Sequence, residues 1–124
     1  MSILNKKYYV EKSRKMLEEM RLLKAALKRY EDLAQGAPQG SAGASQIEKQ
    51  LKYIRKTVDS IENSLRFLDA TEYRIIDMMY ISDHKSAEDL CEDLGLERSS
   101  IYRHRRSALG KITLALFGSE EMIG

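Results

Sequence analysis

The chain has 124 residues, with 21 basic and 19 acidic side chains, one proline, no tryptophan and a single cysteine. That length holds one domain, or a small domain plus an extended element; the Leu-, Ala-, Glu-, Lys- and Arg-rich composition favours helix throughout, and no stretch alternates strongly enough for a strand. No apolar run approaches membrane length, no signal-peptide core lies between Met1 and Met20, and Cys91 has no internal disulfide partner, so the expectation is an all-α protein of a reducing cytoplasm with no membrane partner.

Two heptad segments come first. Tyr9, Met16, Met20, Leu23, Leu27, Tyr30 and Ala34 mark a helix over about 6–34, stepping by alternating fours and threes from Met16 onward; Ser13 is the break. Nine basic residues face five acidic ones between Met1 and Ala34. That excess could reach a DNA backbone or an acidic protein, but a solvated coiled-coil exterior laced with i,i+4 pairs accounts for it more simply.

The second segment, over 46–67, is cleaner: Ile47, Leu51, Ile54, Val58, Ile61, Leu65 and Leu68 alternate without a break. Neither stripe can bury itself alone, so the two must pack on each other, on a second subunit, or on both. Leu51, Ile54, Val58, Ile61 and Leu65 are the expected oligomerisation seam, with a dimer favoured. Between the segments, 35–45 is a Gly-rich linker holding three glycines and the only proline, long enough for an antiparallel hairpin. Residues 1–68 therefore read as a helical hairpin or coiled-coil region, and 69–124 as a trihelical domain.

The third helix, over 70–81, opens on a capping box formed by Asp69 and Glu72, with Tyr73, Ile76, Met79 and Tyr80 as its apolar face. After the loop Ser82 to Lys85, Ser86 and Asp89 start a short helix over 86–94 whose apolar face is Leu90 and Leu94. Gly95 supplies a positive-φ turn, Leu96 tucks inward, and a last helix runs over 98–117 with Ile101, Ala108, Leu109 and Ile112 buried. This is the spacing of a helix-turn-helix. Cys91 fits as a small core residue of the motif rather than a reactive thiol.

Charge agrees with the spacing. From Thr71 to Leu96 seven acidic residues oppose only Arg74 and Lys85, whereas Arg98 to Lys111 carries five basic residues and no acid. An acidic support helix beside a wholly basic one suits a protein that aims one element at phosphates. Arg98, Ser99, Ser100 and Arg103 are the candidates for reading base edges, and Tyr102, Arg105, Arg106 and Lys111 for holding phosphates.

The run from Leu68 to Tyr80, followed by Ser86 to Leu109, resembles region 4 of bacterial sigma factors and looks most similar to phage transcriptional regulators of the ArpU and RinA type. Leu94-Gly95-Leu96, Arg98-Ser-Ser-Ile-Tyr-Arg103 and Ala108-Leu109 carry the resemblance, which is looser over the N-terminal helices. It implies a sequence-specific DNA-binding regulator of phage or prophage late genes, such as those for packaging or lysis. Two residues depart from the pattern. Glu97 stands where such proteins often have a Ser cap, and His104 stands where an aliphatic residue is expected, reading as a half-buried core histidine.

No catalytic constellation is present, so an enzyme is not expected, and no cofactor or metal is implied. His84 and His104 are too far apart for a helical metal pair, and neither has a Cys or carboxylate partner at zinc spacing. Two rival readings stay open: a small terminase-like DNA-packaging subunit, and a protein-only adaptor that binds RNA polymerase.

Overall fold

In the computed structural model, which describes residues 3–121 and the side chains of 6–118, each helix boundary has a local cause. Helices α1 (Ile3–Glu18) and α2 (Met20–Gly36) are separated only at Glu19, where the bonds from Glu19 N–H to the Lys15 carbonyl and from Leu23 N–H to the Glu19 carbonyl carry the ladder across. Helix α3 (Ala42–Leu65) starts at Ser41, whose hydroxyl accepts from Ala44 N–H at 3.0 Å. The connector is therefore shorter than its composition predicts. Helix continues through Gln35 and Gly36 and resumes at Ala42, leaving only 37–41 between α2 and α3.

The chain then makes α4 (Ala70–Ile76), a π-helical turn (Asp77–Ile81), α5 (Ala87–Leu94) and α6 (Arg98–Glu121), with no strand among the described residues. Both side-chain bonds of the Asp69–Glu72 capping box form, as do both of the Ser86–Asp89 box. The predicted helix over 70–81 changes pitch at Asp77: Ser82 N–H bonds to the Asp77 carbonyl at 2.8 Å, and the Ser82 hydroxyl donates to the Asp77 carboxylate at 2.7 Å. Tyr73, expected inside, is exposed, and Ile75 replaces it. Helix α4 buries two sides, because Ile75 packs toward α5 and α6 while Ile76 packs toward the N-terminal helices.

Two clusters make the core. The smaller joins Ile75, Ala87, Leu90 and Ile101, with Cys91, Leu94 and Leu96 partly buried around them, and holds α4, α5 and α6 together. The larger joins Leu17, Met20, Ile54, Val58, Ile61, Ile76, Tyr80, Ala108, Leu109 and Ile112. It runs from α1 through α3 to α6, so the core crosses the 68/69 boundary without a gap. Each fully buried Ile or Leu in it contributes roughly 1.5–3 kcal/mol over an exposed one.

That continuity shows what the second heptad stripe packs against within one chain. Leu51, Ile54, Val58 and Ile61 are buried within one chain and Leu65 is half-buried. Helix α2 covers one part of the stripe and α6 another within a single chain. The stripe is an intrachain core.

Candidate nucleic-acid interface

The turn between α5 and α6 is set by Gly95, which lies at φ 67° and bonds through its N–H to the Cys91 carbonyl at 3.0 Å. A side chain there would be strained whatever the space around it. After Leu96 and Glu97, α6 begins at Arg98, and the Glu97 carbonyl accepts the first helical bond from Ile101 N–H. Ile101, Ala108, Leu109 and Ile112 are all buried, as their spacing predicts. That fixes the rotation of α6 and therefore which side chains point out.

The outward line is Ser99, Arg103, Arg106 and Gly110, each exposed and one helical turn apart. Among the described residues neither Arg103 nor Arg106 pairs with a carboxylate; Arg103 only reaches the Ser100 hydroxyl, at 3.5 Å. Arg98 is also exposed but is held: one terminal nitrogen lies 3.1 Å from Glu88 and the other donates to the Tyr102 hydroxyl at 3.2 Å. Those partners raise its pKa, the Tyr102 hydrogen bond most. Glu88 thus links the acidic helix to the start of the basic one, and Lys85 similarly pairs with Asp93 at 2.6 Å.

Two of the residues expected to hold phosphates are engaged by partners within the chain. Arg105 is half-buried, and its Nε donates to the Tyr80 hydroxyl at 2.6 Å. Lys111 donates to Glu72 Oε1 at 2.7 Å, clamping α6 to α4. The reason is helical phase: Lys111 and Ser107 are four residues apart, on the flank of α6 that faces α4. Tyr102 is half-buried, with the Arg98 and Arg105 guanidinium groups 5.5 and 5.9 Å from its ring centre. His104 is half-buried, as its position one turn from the Ile101 stripe suggests.

Glu72 is the polar residue that the sequence reading undervalued. Its carboxylate is 2 % exposed, yet it accepts from Asp69 N–H, from the Ser107 hydroxyl and from Lys111, all within 2.9 Å. Burial alone would push its carboxyl up; the donations from Lys111, the Asp69 backbone and Ser107 outweigh it and hold the pKa at about 2. The available signal was the pair Ser107 and Lys111 at helical spacing opposite a capping glutamate. Nothing in the sequence placed α4 opposite that flank.

A second tie steadies the approach to α5. Arg21 donates to the Ser82 carbonyl at 2.5 Å, and Lys85 N–H bonds to the Met78 carbonyl at 2.9 Å across a loop in which His84 adopts φ 51°. Among the described residues no helix is long and apolar enough to cross a membrane, and no three His, Cys, Asp or Glu side chains gather as a metal site. The chain matches no family model, no curated protein and no solved structure.

Proposed function

We propose that the protein is a sequence-specific regulator of transcription that binds double-stranded DNA through the turn Gly95 to Glu97 and helix α6. The observation that carries this reading is the exposed line Ser99, Arg103 and Arg106 on a helix with no acid between Arg98 and Gly118. The first turns of α6 enter the major groove, where Arg103 and Arg98 suit guanine edges and Ser99 and Ser100 accept or donate to either base type. Arg106 lies a turn further along, at the height of the phosphates. Helix α5 supports α6 from behind through Leu90 and Ile101, while its acidic exterior repels the backbone and orients the approach. The resemblance to the phage regulators gives the same assignment and points to late phage or prophage genes as targets.

Selection of bound duplexes from a random pool tests the reading. A single site should emerge, bound about a thousandfold more tightly than its scrambled version at physiological salt. Uniform binding to every duplex would reduce the surface to non-specific electrostatics. Absence of binding by the wild-type chain would favour the polymerase-binding adaptor.

A further inference from the structure

A groove of about 330 Å³ runs between the start of α1 and the middle of α6. Its floor is Val10 and Leu109; its walls are Tyr102, Arg105 and Arg106 from α6 and Lys6 from α1, with Gly110 at the rim. Three cations line it and no carboxylate does. Glu11, the nearest acid along α1, pairs directly with Arg14 at 2.8 Å and reaches Arg105 only through longer-range attraction, so the groove keeps an excess of positive charge. Lys6 and Arg106 are exposed, and neither pairs with a carboxylate among the described residues.

Arg105 matters here in a way its inward tilt conceals. Tyr80 takes its Nε, and the hydrogen bonds among the described residues leave its two terminal nitrogens without an acceptor. The guanidinium is therefore fixed in place, with donors unspent, before any ligand arrives. Gly110 leaves the rim unobstructed. Glycine inside a helix costs roughly 0.5–1 kcal/mol relative to alanine, and here a Cβ would meet nothing within 4 Å. The absent side chain leaves the backbone of α6 open to close approach at the rim of the groove.

We infer that this groove seats a backbone phosphate of the same DNA that α6 reads, so that the N-terminal helix extends the footprint beyond the helix-turn-helix. This rests on the DNA-binding reading proposed above. Lys6 supplies a mobile charge from α1, Arg105 a fixed one from α6, and Arg106 joins the groove to the exposed line that carries Arg103. Because α1 is locked to α6 through the shared core, Lys6 is presented at a set distance from the recognition turns instead of on a loose arm.

The test compares Lys6→Gln with Lys24→Gln, an exposed lysine on α2 outside the groove, using the full chain on the selected duplex and its scrambled version at several salt concentrations. Helicity by circular dichroism confirms that both variants stay folded. Lys6→Gln should bind both duplexes several-fold more weakly and make the dependence of log K on log salt shallower by about one, the signature of one lost phosphate. Lys24→Gln should change neither. An unchanged slope for Lys6→Gln, in a protein where Arg103→Ala still shows a site-dependent loss, overturns the groove and leaves the DNA reading standing. Equal losses from Lys6→Gln and Lys24→Gln also overturn it, since general charge would then explain both. If the wild-type chain binds no duplex even at low salt, the DNA reading fails and the groove inference with it.

Discussion

Thr113 Oγ1 donates to Ser13 Oγ at 3.0 Å, and Ser13 Oγ in turn donates to the Tyr9 carbonyl at 2.8 Å. The two residues are 100 positions apart, on α6 and α1, and both are buried. In the sequence Ser13 interrupts the first heptad stripe. In the fold it lies where α1 meets α6, and every polar atom of the pair that matters is satisfied. Ser13→Leu, which would complete the heptad, should therefore destabilise the protein. The larger side chain overpacks the contact and strands the Thr113 hydroxyl, at a cost of about 1–3 kcal/mol. Urea unfolding of the variant decides it; a gain in stability would show that the heptad, not the α1–α6 contact, governs this position.

The second prediction concerns Glu72. Its folded-state pKa of about 2 lies below the ordinary value of 4.5, so the ionised group stabilises the native state above pH 4.5. That contribution is lost as pH falls from 4.5 through about 2, below which the carboxylate is protonated in both states. Each unit of depression corresponds to about 1.4 kcal/mol, giving on the order of 3 kcal/mol in total. Glu72→Gln should flatten the acid side of the stability profile, measured as unfolding midpoints between pH 2 and 6.

Lys111→Ala separates two roles for the same lysine. Removing the ammonium leaves a buried carboxylate with only Ser107 and the Asp69 N–H, and should cost about 1.5–3 kcal/mol of stability. Because Lys111 is occupied by Glu72, the salt slope of DNA binding should stay unchanged. A slope shallower by about one would show that Lys111 leaves Glu72 for a phosphate in the complex.

Ile61→Lys probes where the second stripe is used. Ile61 is completely buried inside a single chain, so the variant must place an unpaired ammonium in the core or unfold. A loss exceeding about 4 kcal/mol is expected, seen as collapse of cooperative unfolding and helicity. A well-folded monomer arising from a wild-type dimer would instead mean that the stripe is an intermolecular seam.

Arg103 and Arg106 should fail differently. If Arg103 reads a base edge, Arg103→Ala costs roughly 1–3 kcal/mol on the selected site and relaxes preference at one position. Arg106→Ala should weaken all duplexes about equally and shallow the salt slope by about one. Titrations on selected and scrambled duplexes at two salt concentrations compare them. Equal, sequence-blind losses at both positions would leave only non-specific electrostatics.

Local features of this chain were legible in its sequence because local forces set them. The two capping boxes, the left-handed Gly95, the start of α6 at Arg98 and its buried stripe all follow from bonds and sterics within a few residues of each other. The rotation of α6, and with it the exposure of Arg103 and Arg106, followed from the same stripe. Partner choice was not legible, because an apolar stripe records that it must be buried and not against what. Only the tertiary structure sends the face of α3 to α2 and α6, turns Ile75 inward in place of Tyr73, and docks Ser13 on Thr113. It also decides which basic residues of α6 are anchored by partners within the protein. Arg105 and Lys111 look like Arg103 and Arg106 in sequence, but Tyr80 and Glu72 hold them from elements whose positions depend on the packing of the whole chain.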